Sequence, residues 1–335
     1  MAFGVRGNTQ AENTNKVAVD WKALNEYVVT TAGLQQEETM VGIISGLYDV
    51  GVQEQEDAKM EWKGTPEEEA EEIAKSSNTY FEDLYDYEDK KTKRYKRWPQ
   101  RPVQQVVYAI DFPEIMLDKS QFFGIEKADP KPLRLLLGGE FTKTGGVKIA
   151  AKPLALTIRK NDKTGNKWSF TPNSTMHKMA VGAKIISKDD AFLPQDIDKL
   201  LGKALQFKVR VYFNADGYYT EKCAFVAGLG RSQAVPEFDE SLLHIVQFDA
   251  DNAEADLKQL RLSVRNTMAM ASDYAGSKLE AQLNKLFTNS KASTAPAEPS
   301  KAPASTPVAP KAKAAPKAAE AVVDNGVDFD DDIPF

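Results

Sequence analysis

Residues 207–228 read FKVRVYF-NADG-YYTEKCAFVAG, and this stretch decides the fold. Phe207, Val209, Val211 and Phe213 alternate with Lys208, Arg210 and Tyr212. That is the two-residue period of a strand with one buried face. Asn214-Ala215-Asp216-Gly217 supplies turn residues, and a second strand-forming run follows at once. The stretch therefore predicts an antiparallel hairpin with an apolar face towards a core and a basic-aromatic face towards solvent.

Working outward, 194–205 (PQDIDKLLGKAL) has the spacing of a short helix leading into the hairpin. The runs 40–52 (MVGIISGLYDVGV), 103–112 (VQQVVYAIDF), 133–137 and 153–158 read as further strands. In the last of these Leu154, Leu156 and Ile158 alternate with Ala155, Thr157 and Arg159. The loop 161–166 (NDKTGN) precedes a return strand whose Trp168 and Phe170 share parity, so one of the two is expected in the core. Residues 1–39 are expected to form a loose polar arm and a short helix over 21–29. Over 251–287, Leu257, Leu260, Val264, Met268, Ala271 and Ala275 recur at intervals of three and four, and Leu279, Leu283 and Leu286 could extend the stripe. This is the longest helical candidate, suited to core packing, and it could also serve a homo-oligomer. The expected fold is mainly β with flanking helices. A small barrel of the oligonucleotide-binding (OB) type spans 40–250 with an acidic insertion at 54–89, and a C-terminal helix spans 251–288.

The net charge of -6 averages over unlike segments. Residues 90–235 hold 27 Lys/Arg against 13 Asp/Glu, whereas 54–89 hold 3 against 14. A basic middle of this kind is the electrostatic footprint of a polyanion partner. Residues 289–323 are mostly Ala, Pro, Lys and Ser, too poor in apolar surface to offset their ordering entropy, and are expected to be a disordered linker. No apolar run reaches the ~18 residues of a membrane-spanning helix. The start (MAFGVR) lacks an apolar signal core, and the one cysteine, Cys223, precludes an internal disulfide. These features lead to the expectation of a reducing cytoplasm and no membrane partner.

The acidic tip at 324–335 ends in Asp330-Asp331-Asp332-Ile333-Pro334-Phe335. It resembles the tip of bacterial single-stranded-DNA-binding proteins, which close on the same six residues after a Pro/Gly/Gln-rich linker. The resemblance implies single-stranded-DNA binding and recruitment of replication and repair proteins of the polymerase, helicase, primase or nuclease type. It covers the tail and the general layout only. The folded part is more than twice as long as that family's compact core, which points to a bacteriophage version acting in the bacterial host cytoplasm. The physics agrees with recruitment, because Phe335 can enter an apolar pocket while the Asp run selects basic surfaces. Pro334 limits the conformations lost on binding.

Binding a single strand requires cations for phosphates and aromatic rings for bases. Three clusters meet that requirement. Arg94, Tyr95, Lys96, Arg97, Trp98 and Arg101 interleave both types. Arg159, Lys160, Lys167 and Trp168 surround the 161–166 loop. Lys208, Arg210 and Tyr212 share a strand face, with Tyr218 and Tyr219 across the turn, pointing to opposite faces so that at most one stacks.

Catalytic signatures are absent from the sequence. His177, His244 and Cys223 cannot build a Cys/His zinc site, and no G-x-x-x-x-G-K-[ST] phosphate loop occurs. Gly138-Gly139 and Gly145-Gly146 read as turn glycines. The expectation is a sequence-tolerant single-strand binder with no enzymatic activity, cofactor or metal. A strand-annealing or recombination-mediator protein would use the same chemistry. An adaptor that presents the tip without binding DNA is a third reading.

Overall fold

The computed structural model describes residues 19–288, except 88, 126–128, 144–145 and 163–166. The first part of the N-terminal arm, most of the 161–166 loop, the linker and the acidic tip lie outside the described residues.

The molecule is organised by one long bent strand, β1 (Glu38–Gln53). Two shifts of register, between Ile44 and Gly46 and between Asp49 and Val52, break its pairing with a later strand, β5 (Val103–Leu117). Such bulges bend a strand and increase its twist. The first third of β1 pairs antiparallel with β12 (Ala204–Phe213), and the remainder with β5. Adding β6 (Lys131–Leu136) beside β5 and β13 (Tyr219–Ala227) beside β12 gives the antiparallel order β13-β12-β1-β5-β6. Short strands β9 (Leu154–Ala155) and β14 (His244–Val246) pair with β5 and β1. The hairpin expected over 207–228 is the β12–β13 pair, with Arg210 opposite Lys222 and Tyr212 opposite Thr220.

The sheet curls until its two edges touch. The Gly138 N–H donates to the Cys223 carbonyl at 2.8 Å. Gly138 and Gly139 have φ of 90° and 77°, and a Cβ on Gly139 would lie 2.7 Å from the Glu221 carbonyl oxygen. These glycines permit the approach. Among the described residues the two edges form no ladder, so the mainly β fold expected from the sequence is present as a curled, open sheet and no closed barrel forms.

Tyr108, Ile110, Phe112, Leu133, Leu135, Phe207, Val209 and Val211 fill the concave face, with Leu24 and Val28 of α1 (Trp21–Ala32) and Met176 and Met179 of α3 (Thr175–Gly182). The opposite face of β5 and β6, carrying Val107, Ala109 and Leu136, is buried under the C-terminal helices. There the single helix expected over 251–287 is three: α4 (Glu254–Leu257), α5 (Leu262–Ala269) and α6 (Lys278–Thr288). Arg261 is extended (ψ 150°), and its guanidinium is drawn inward to Glu221. Gly276 is left-handed, and Asp273 and Ser272 hydrogen-bond to Val52. These local bonds outcompete helical continuation. The apolar stripe is nonetheless buried at Leu257, Leu260, Val264, Met268, Ala271, Leu279 and Leu283, while Ala275 is exposed.

Other departures have equally local causes. Pro194–Leu200 is a 3-10 helix, and the chain is already in β12 by Ala204. Only β9 forms within 153–158, although Leu154, Leu156 and Ile158 still pack on the core. Among the described residues, no helix is long and apolar enough to cross a membrane.

Candidate nucleic-acid interface

The three sequence clusters fall on three separate sheets. The first lies on β4 (Lys91–Trp98), the central strand of a small sheet with β2 (Ala58–Glu61) and β3 (Tyr80–Asp86). The acidic segment therefore contributes two strands that sequence reading missed, because Ala58–Glu61 and Tyr80–Asp86 carry charge where a buried strand would carry apolar residues. It also contributes α2 (Pro66–Lys75). Thr65 and Glu68 form a capping box and Pro66 opens the helix.

Within this subsheet the basic run is already neutralised. Arg94 donates to both oxygens of Glu69 at 3.0 and 2.8 Å and lies 3.4 Å from Asp83. Lys96 pairs with Glu72, Arg97 with Glu82 at 2.5 Å, and Lys93 with Asp86 at 2.6 Å and with Asp89. Hydrogen bonds from Lys75 and then Lys96 hold the Glu72 carboxyl down at about 2, so it stays charged at neutral pH. Three of these cations also face a ring, Arg94 on Phe81, Lys96 on Trp98 and Arg97 on Tyr80, and Lys59 of β2 faces Tyr95, all at 5.7–6.0 Å. Trp98 is half-buried and Arg101 is exposed.

The second cluster is the hairpin of β10 (Arg159–Asn161) and β11 (Lys167–Ser169). Trp168 is 57% exposed with the Lys160 ammonium 5.8 Å above its ring, and Arg159 is exposed beside it. Phe170 is the buried member of the parity pair. Parity ceases to bind the two because β11 ends at Ser169 and the Phe170 N–H turns to the Phe192 carbonyl.

The third cluster is the outward face of β12–β13. The Arg210 guanidinium stacks 3.8 Å from the Tyr212 ring centroid, and the Lys222 ammonium lies 5.7 Å from the same ring. Arg210 is steadied by donation from Nε to the Gln35 carbonyl at 2.8 Å, and Lys208 pairs with the exposed Glu37. Lys222 was not singled out from the sequence, yet counting back through the turn places it opposite Arg210. Tyr218 stands 71% exposed at the turn. Tyr219 packs against the core and donates to Glu221 at 2.7 Å, so only Tyr218 is free to stack.

Beyond the turn the β12–β13 face borders a cleft of about 780 Å³ between α1, the β12–β13 turn and the hairpin of β7 (Glu140–Thr142) and β8 (Lys148–Ala150). Its aromatic lining includes Trp21, Phe123, Phe141 and Tyr218, and its charged lining includes Lys119, Lys148, Arg261, Glu140 and Glu221. Burial would push Glu140 up, but Arg261 and Lys148 hold it well below the usual carboxylate range. Burial, and then Arg261, push the Lys119 ammonium down to about 8. These residues come from elements far apart in sequence, and no local pattern joins them.

The remaining chemistry-bearing side chains are built into the core. Cys223 is buried and its thiol is pushed up by burial. His177 meets the Asp190 carbonyl at 3.1 Å. His244 meets the Tyr48 hydroxyl at 2.5 Å, and burial, then Arg134, push it down to about 3. Among the described residues, no group of three or more His, Cys, Asp or Glu could hold a metal ion. Searches of protein-family models, curated proteins and solved structures find no match to this chain.

Proposed function

We propose that the protein binds single-stranded DNA with little sequence preference, without enzymatic activity of its own, and recruits replication and repair proteins through its acidic tip. The observation that carries the reading is the outward face of β12–β13. Arg210 and Lys222 sit over one ring, Tyr212, with Lys208 one step along the strand, on a face that no helix among the described residues covers. Cations that track phosphates and a ring that stacks a base are both present there.

The strand order supports an OB-type reading of the fold. Five strands in the order β13-β12-β1-β5-β6, with the outer two in contact and α3 between β6 and β12, match the Greek-key course of such barrels. OB-type binders use the outer face of their second and third strands and the loops beside it. Here the equivalent face, on β5 and β6, is covered by α5 and α6. Among the described residues β12–β13 and its turn, the insertion between β1 and β5, and the β10–β11 hairpin stay exposed to a strand.

The test is titration with a labelled oligothymidine across a salt series, with duplex as competitor. Binding should prefer the single strand, with a log-log salt slope of about -0.7 per phosphate contacted. Salt-independent binding, or equal affinity for duplex, would refute the reading.

A further inference from the structure

We infer that the cleft beyond the β12–β13 turn takes one nucleotide of the bound strand, its base among the exposed rings and its phosphate on Lys119. The inference rests on the single-strand reading above and locates where the strand goes.

Three observations converge. The first is charge. Two carboxylates, Glu140 and Glu221, face three cations in the cleft. Arg261 lies 2.7 Å from Glu221 and 3.4 Å from Glu140, and Lys148 lies 2.7 Å from Glu140. Both acids are thus engaged, and one positive charge is left over. It resides on Lys119, half-buried, whose ammonium forms no ion pair or side-chain hydrogen bond with any described residue. A cation withdrawn from water without a partner is unfavourable until an anion arrives. The depressed titration of Lys119 agrees with that account.

The second observation is the aromatic lining. Phe141 is 57% and Tyr218 71% exposed at the rim of the cleft, while Trp21 and Phe123 stand edge to face at 6.2 Å. Exposed rings beside a cation are the components of a base-stacking site. The third is continuity and size. Thr220 lines the cleft and is also the register partner of Tyr212 on the open face, so a strand lying on that face runs on into the cleft. A volume of about 780 Å³ falls within the ~300–1,000 Å³ of small-ligand clefts.

The experiment measures oligothymidine binding by the full chain and by Tyr212→Ala, Phe141→Ala and Lys119→Met, with melting curves for each. Phe141→Ala should weaken binding about 5- to 150-fold, the range for one lost stacking contact, at an unchanged melting temperature. In the intact protein, affinity should fall as pH rises through about 8, where Lys119 loses its proton, and Lys119→Met should flatten that fall. Arg261, Glu221 and Arg134 act on Lys119, and the paired Glu140 and Lys148 line the same cleft. The arginines stay charged across this range, and Glu221 is held in its ion pair to Arg261. If Tyr212→Ala weakens binding while folded Phe141→Ala and Lys119→Met bind like the intact protein, the cleft assignment is wrong and the single-strand reading stands. If the intact protein binds no oligothymidine, both fall. If thymidine monophosphate binds as tightly as the strand, the cleft is a free-nucleotide site and occupancy by the strand is overturned.

Discussion

Replacing Glu69 and Glu72 by glutamine should convert the small β2–β4–β3 sheet from a self-neutralised surface into a DNA-binding one. The two carboxylates on α2 engage Arg94, through two hydrogen bonds, and Lys96, and the acidic segment as a whole exceeds the basic charge it covers. The paired side chains remain 17–38% exposed, so the pairs are solvent-screened and contribute little to folding. Their effect on a polyanion is larger, because a phosphate must displace a carboxylate to reach either cation. Freeing two cations adds up to two phosphate contacts, so the log-log salt slope should steepen by up to about 1.4. The gain in affinity should be greatest at low salt and fade as the Debye length shrinks from ~10 Å at 0.1 M to ~3 Å at 1 M. Fluorescence anisotropy with labelled oligothymidine across a salt series reads both quantities, and circular dichroism confirms that the variant is folded. Because Glu72 titrates near 2, mild acidification should not mimic the substitution. A folded double variant with the affinity and slope of the parent would refute the idea that α2 screens β4 from DNA.

Tyr212→Ala and Phe207→Ala, on opposite faces of β12, should separate binding from stability. The first should cost ~1–3 kcal/mol of binding with little change in melting. The second should cost ~3–5 kcal/mol of stability, because Phe207 is fully buried against Phe112 and Phe225. Trp168→Ala should likewise weaken binding without loss of stability if the β10–β11 hairpin touches the strand, as competition titration would show. His244 is held neutral in the fold, at about 3, whereas an unfolded histidine titrates near about 6.5. The unfolded chain therefore binds the extra proton, and stability should fall as pH drops from about 6.5 towards 3, by at most ~1.4 kcal/mol per pH unit. Denaturant titrations of His244→Gln should show that slope reduced; an unchanged slope would mean that other groups carry it. Removing residues 330–335, or Phe335→Ala, should abolish capture of replication and repair proteins from bacterial lysate while leaving DNA affinity equal or slightly higher. Recovery of the same partners without those residues would reject tip-mediated recruitment.

Where one face is apolar and the other polar, the sequence alone was sufficient. The alternation from Phe207 to Phe213, the turn at Asn214-Ala215-Asp216-Gly217 and the runs that became β1 and β5 all encode their structure within a few residues. The same local rule identified Lys208, Arg210 and Tyr212 as an outward face and, from opposite parity, separated Tyr218 from Tyr219. Tertiary structure decided what depends on partners distant in sequence. A run such as Lys93-Arg94-Tyr95-Lys96-Arg97 reads as a free cationic surface until the carboxylates of α2 and β3 are placed against it. A leucine stripe reads as one helix until Asp273 and Ser272 bind the end of β1 and Arg261 turns inward to Glu221. The cleft joins Trp21, Lys119, Phe141 and Tyr218 across some two hundred residues of chain, because the curl of the sheet, and no sequence period, brings its edges together.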